Sequence, residues 1–126
     1  MQLNIVSTRR ELRQFIRFPY RLYQDDPNWV APLRSEQWAQ FDPKKNPMLD
    51  HCETRFFLLK EDGNVIGRCS AFVDHLAVEH WGELIGLFGS FECVDSAEAA
   101  HVLLAGASDW LAGQGMDKMR GPWSFA

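Results

Sequence analysis

ELIGLFGSFECVDSAEAAHVLLAGASDWLAGQG, residues 83–115, changes period in its middle. From Glu83 to Val94 the stretch reads as a strand, with Gly86 and Gly89 each permitting a bulge or the close approach of another backbone, so both glycines mark where a ligand would lie. From Asp95 to Gln114 the period is helical, because Ala100, Leu103, Leu104, Ala107 and Leu111 fall at i, i+3, i+4, i+7 and i+11. Asp95 with Glu98 three residues later has the form of a capping box, which makes Asp95 the expected N-cap, and Gly115 ends the helix. Met116 to Gly121 reads as a further strand, followed by the apolar end Pro122-Trp123-Ser124-Phe125-Ala126.

Upstream, Phe56, Phe57, Leu58 and Leu59 form a short apolar run with charged flanks, as a strand buried on both faces requires. Asp62-Gly63 supplies a tight turn, and Val65 to Val73 returns as the hairpin partner. Val65, Gly67, Cys69, Ala71 and Val73 then lie on one face, with Arg68, Ser70 and Asp74 on the other. His75 to Gly82 reads as a looser linker.

Nearer the start, Leu12, Phe15, Ile16, Leu22 and Tyr23 give a helix its core side, while Arg9, Arg13, Arg17 and Arg21 form a stripe that faces water or a phosphate. Pro19 removes one backbone donor and crowds the carbonyl of Phe15, which predicts a kink or two abutting helices. The prolines of Asp25-Asp26-Pro27-Asn28-Trp29-Val30-Ala31-Pro32 force an ordered, non-helical connection. A short helix is expected from Ser35 to Phe41, then a turn-forming stretch, Asp42 to Pro47. Trp29, Trp38 and Phe41 thus lie beside loops, either as a lid or pocket wall or as a cover for the core.

The chain has 126 residues, 46% of them apolar, enough for the core of one domain. Seventeen acidic and thirteen basic side chains give a net charge of −4, which supplies no global positive field and argues against nucleic acid or a membrane as partner. The charge is uneven: residues 1–45 carry eight basic and five acidic side chains, residues 46–126 five basic and twelve acidic. No stretch approaches the roughly 20 apolar residues of a spanning helix, and Asn4, Arg9, Arg10 and Glu11 replace a signal-peptide apolar block, so a cytoplasmic protein is expected. Cys52, Cys69 and Cys93 read as buried or half-buried free thiols, and His51, His75, His80 and His101 as surface histidines, with no metal site expected.

The order of elements, with Phe18-Pro19-Tyr20, Leu22-Tyr23, Asp26-Pro27-Asn28-Trp29-Val30, Phe41-Asp42-Pro43-Lys44-Lys45-Asn46-Pro47, Phe88-Gly89-Ser90-Phe91-Glu92 and Gly121-Pro122, resembles an uncharacterised family of GNAT-like proteins. The resemblance implies an α+β, three-layer acyl-CoA N-acyltransferase fold around a mixed, mostly antiparallel sheet. It also implies that residues 1–126 are a single, incomplete domain, the N-terminal portion of a longer protein, whose last strand leaves an edge open for pairing with absent residues or another chain. The implied activity is transfer of an acyl group from acetyl-CoA or another acyl-CoA to an amine. Ser90, Phe91, Cys93, Val94 and Ser96 are the implied cofactor positions, Glu92 the general base, and Trp29, Trp38, Phe41 and Lys44 the acceptor side. The pyrophosphate loop of the superfamily is glycine-rich, whereas Val94 to Ala100 has no glycine and carries Asp95 and Glu98. A catalytically inactive ligand-binding or interaction module is therefore the alternative.

Overall fold

The computed structural model describes residues 1–123. Five strands form one sheet in the order β1-β2-β3-β4-β5: β1 (Gln2–Ile5), β2 (Cys52–Glu61), β3 (Asn64–Asp74), β4 (Ile85–Cys93) and β5 (Lys118–Trp123). The first four pair antiparallel, and β5 runs parallel to β4. Helices α1 (Arg9–Leu22) and α2 (Arg34–Gln40) precede β2, α3 (His75–Trp81) joins β3 to β4, and α4 (Ala97–Gly113) is the crossover from β4 to β5. Residues 124–126, the tail of the apolar C-terminal stretch, lie outside the described residues.

The central hairpin is apolar on both faces because each face has a helix to cover it. Phe57, Leu59, Cys69, Ala71 and Val73 pack against Ala99, Leu103, Ala107 and Leu111 of α4. Leu58, Val65 and Phe72 pack on the other side with Phe15, Ile16 and Phe18 of α1 and with Phe41. Three layers result, as the resemblance implies. The Asp62-Gly63 turn holds both residues at positive φ, 52° and 81°, the geometry a tight two-residue hairpin loop demands.

Two register shifts change which side chains share a face. Between Leu59 and Lys60 the pairing moves from Gly67 to Val65, so Ile66 is the extra residue. Val65 therefore joins the α1 side, not the Cys69, Ala71 and Val73 face to which strict alternation assigns it. In β4, Gly89 pairs with Ser70 but Glu92 with Arg68, so three steps on β4 match two on β3, and Ser90 at the bulge has φ 47°. Phe88, Phe91 and Cys93 consequently face α4, and Glu92 turns to the opposite side.

Four other expectations are corrected. Residues 75–81 form a helix, not a loose linker: Asp74 caps the amides of Leu76 and Ala77, and Gly82 closes it in the left-handed region at φ 68°. Pro19 does not divide α1 into two abutting helices, since the helix runs through it and ends at Leu22. The N-cap of α4 is Ser96, whose Oγ accepts from Ala99 N at 3.1 Å, and not Asp95. The amide of Val94 still bonds Ile66 O at 3.0 Å, which prolongs strand pairing and delays the helix start. Finally, Gly86 and Gly89 are filled by protein. A Cβ on Gly86 would meet Leu111, and one on Gly89 would overlap the carbonyl of Trp123, so both glycines serve close packing.

This last observation has a measurable consequence. Gly89→Ala must push β5 from β4 and is expected to cost about 2–4 kcal/mol in urea unfolding. Gly113→Ala, in the last turn of α4 with nothing within 4 Å of the added carbon, should gain up to about 1 kcal/mol. Equal stability of the two variants would contradict this packing.

Candidate active site

The sheet face covered by α1 carries one buried charge. Arg68 of β3 is 5% exposed and lies over the ring of Phe15 at 4.8 Å. Its Nη1 donates to the carbonyl of Phe15 at 2.8 Å. That carbonyl is the acceptor that a residue at position 19 would normally claim with its amide, and proline has none. Pro19 therefore leaves an acceptor inside the interface, and Arg68 takes it. Burial pushes the guanidinium down to about 10, while the charge of Glu92 acts in the opposite direction, so it remains a cation at neutral pH.

Glu92 is the residue paired with Arg68 across the ladder. Its Oε2 accepts a hydrogen bond from the hydroxyl of Tyr23, the residue that ends α1. The phenol is pushed up to about 12, chiefly by that bond and then by burial, so Tyr23 stays a donor throughout the neutral range. The Tyr23 ring lies 5.3 Å from that of Trp29, which also meets Tyr20 edge-on at 5.5 Å. Arg68 Nε and Ser70 Oγ are buried with no hydrogen-bond partner among the described residues.

The implied site residues are thus divided. Glu92 faces Arg68, Tyr23 and, through Tyr23, Trp29. Phe91, Cys93 and Val94 pack toward α4, Ser90 forms the bulge, and Ser96 is spent as the α4 cap. Trp38, Phe41 and Lys44 line a separate pocket of about 580 Å³ with Leu12 and Phe56, and Phe41 is a core residue, meeting Phe15 edge-on at 5.4 Å. Sequence reasoning missed Arg68 and Tyr23 as site residues. The signal for Arg68 was present, since an arginine inside Gly67-Arg68-Cys69-Ser70-Ala71 in a strand covered on both sides must find partners.

All three cysteines are free. Burial pushes Cys52 up to about 11, Cys69 up to about 12 and Cys93 upward as well, so none is a thiolate nucleophile at neutral pH. The Cys52–Asp74 pairing of the hairpin also brings His51 close, with Nδ1 at 2.8 Å from Asp74 Oδ1 and 3.7 Å from Cys52 Sγ. That same Asp74 oxygen accepts the first amides of α3, so the contact is explained as a helix cap braced by a histidine.

Two measurements test this arrangement. Arg68→Met should destabilise the Pro19 protein by about 1–3 kcal/mol because it leaves the buried Phe15 carbonyl without its donor. In a Pro19→Ala background the restored amide reclaims that carbonyl, and the same change should cost about 1–2 kcal/mol less. Strict additivity would refute the link. Second, the Tyr23 phenol, followed at 295 nm as the difference between wild type and Tyr23→Phe, should ionise near pH 12. Because its folded value lies above the ordinary value of about 10, the stabilisation from this bond is complete below pH 10 and is lost as pH rises through 12.

No protein-family model matches the chain. It is 38% identical over 122 residues to the bacterial ceramide synthase of Caulobacter vibrioides, a match covering 96% of this chain and 32% of that protein. It is 37% identical over 117 residues to Protein YghO of Escherichia coli, covering 93% of this chain and 30% of that protein. The chain therefore spans about a third of the length of these curated relatives. Among solved structures it is similar to AAC(6')-Iy in complex with a CoA bisubstrate analogue, with TM-score 0.65, 16% identity and coverage of 98% of this chain and 81% of that one. A predicted acetyltransferase from Clostridium acetobutylicum, solved with acetyl-CoA, gives TM-score 0.62 and 12% identity over 98% of this chain and 82% of the other. Likeness at such identities speaks to the fold, and the fold of this chain is that of the GNAT-type acetyltransferases.

Proposed function

We propose that this chain forms the base-bearing part of an N-acyltransferase that moves a fatty acyl group from acyl-CoA to a long-chain amine. The observation that carries the reading is the bulge at Ser90, which turns Glu92 to the α1 side, where the Tyr23 hydroxyl bonds it and Arg68 is its partner across the ladder. An amine acceptor is an ammonium ion at neutral pH and must lose a proton before its nitrogen attacks an acyl carbon. Tyr23 occupies one oxygen of Glu92, and the other is the proton acceptor. The nearby charge of Arg68 favours the ionised carboxylate, and Trp29 against Tyr23 walls the approach. The similarity to a ceramide synthase supports the acceptor class, because a ceramide is the amide of a fatty acid with a long-chain amino alcohol.

Acyl-CoA supplies an acyl group activated as a thioester. The chain offers it β4 beyond Gly89, which has no β5 partner among the described residues, and the backbone of Ser90 to Val94 there. Since Ser96 and not Asp95 caps α4, no carboxylate among the described residues is bonded to the first-turn amides of this helix. Asp95 and Glu98 still place two negative charges beside that turn, where a glycine-rich loop would otherwise receive a pyrophosphate. This feature favours a second reading, a GNAT-like module that binds a ligand or partner without catalysis.

The two readings separate in the full-length protein. With a fatty acyl-CoA and a long-chain amino alcohol, thiol release should be measurable, and Glu92→Gln should lower kcat by about 10²–10⁴-fold with little change in KM. Unchanged turnover in Glu92→Gln would remove the base, and calorimetry showing no acyl-CoA binding at millimolar ligand would favour the second reading.

A further inference from the structure

We propose that the surface formed by α1, α2 and the loop between them docks on an anionic phospholipid membrane. Arg13, Arg17 and Arg34 line one cleft of about 240 Å³ with Ile16, Tyr20 and Trp38, and no carboxylate lines it. Among the described residues these arginines form no ion pair. The adjoining pocket shares Trp38 and adds Arg9, Lys44 and Lys45 against a single acid, Asp42, whose carboxylate already accepts the Lys44 amide. Glu11, on the same helix, is turned back onto Ser7 and Thr8. Like charges gathered without counter-charge are costly unless an anion is supplied from outside.

The apolar component decides which anion. Val30 is 87% exposed and Leu33 65% exposed; Leu33 adjoins Arg34 of the cleft, and Val30 adjoins Trp29, which meets Tyr20 of the cleft. Their loop is pinned there, since Tyr20 donates to Pro32 O at 2.5 Å and Arg34 stacks on the Tyr20 ring at 4.5 Å. A free phosphate ion or a nucleic acid backbone gives these aliphatic side chains nothing, whereas a bilayer offers headgroup phosphates and, just beneath, acyl chains. The apolar face of α1 itself is spent in the core, with Phe15, Ile16 and Phe18 buried, so the helix lies on the surface and only the loop dips. The net charge of −4 counts against a membrane for the molecule as a whole, and Asp25, Asp26 and Glu36 lie on these same elements, but none of the three lines either pocket. The excess of carboxylates belongs to residues 46–126, and at physiological salt charges more than about 8 Å apart are largely screened from one another.

The test uses the full-length protein and flotation with vesicles of phosphatidylcholine, with and without phosphatidylglycerol. It needs no acyl-CoA, so its outcome is independent of the proposed transferase activity. Wild type should float with the anionic vesicles and be released by high salt. Each arginine near such a surface contributes roughly fivefold, so Arg13→Gln with Arg17→Gln and Arg34→Gln should weaken binding by roughly 100-fold. Val30→Ser with Leu33→Ser should weaken it several-fold while leaving the salt dependence intact. All five positions are exposed, and circular dichroism checks that the variants remain folded. Unaltered vesicle binding in the arginine variant overturns the proposal. So does displacement of wild type by inorganic phosphate or a single-stranded oligonucleotide with no effect of the Val30 and Leu33 changes, since the surface would then be a plain anion site.

Discussion

The structure depends on a carbonyl that a proline leaves unclaimed. Inside α1 the oxygen of Phe15 has lost its helical donor at Pro19, and in a packed interface it must be satisfied by something other than water. The guanidinium of Arg68 does so, entering from β3 and stacking on the same residue's ring. Glu92, opposite Arg68 on the adjacent strand, is a nearby charge that favours the cation. Arg68 ties α1 to β3, and the Tyr23 hydroxyl at the end of α1, bonded to Glu92, ties it to β4. The proline that threatens the helix on local grounds is what attaches it to the sheet.

Glu92 reaches that cluster only because β4 is out of phase with itself. From Phe88 an unbroken strand would direct residues 90 and 92 to the α4 side, placing a carboxylate among Leu103, Ala107 and Leu111. The extra residue at Ser90 reverses the parity for all that follows, so Phe91 and Cys93 supply the apolar face and Glu92 the polar one. Gly89, just before the bulge, permits the tight approach of β5, and among the described residues it is the last on β4 to pair with β5. One local irregularity thus sets the direction of the acid.

Charge is partitioned with comparable economy. The start of α4 carries Asp95 and Glu98, while α1, α2 and the turn after them carry the uncompensated cations. Opposite ends of the chain therefore favour opposite kinds of contact, a feature that one net-charge value conceals.

Sequence alone determined the elements whose signals are local and repeated: the Asp62-Gly63 hairpin, the doubly apolar run Phe56–Leu59 before it, the returning strand after it, the amphipathic α1 and the long α4. Those follow from φ preference and from the spacing of apolar side chains, which any neighbour of the right shape will satisfy. Helix α3 was read as a linker although its cap Asp74 and its terminator Gly82 both stand in the sequence. The α4 start was misplaced by one residue because Asp95 and Ser96 are equally good caps, and only the Val94 bond to Ile66 chooses between them. Tertiary structure alone decided the meeting of Pro19, Arg68, Tyr23 and Glu92, since their contacts join residues up to 69 positions apart, and no local preference encodes such a distance. It also decided the parity of β4, for a bulge is a compromise between two strands and exists only once both are paired.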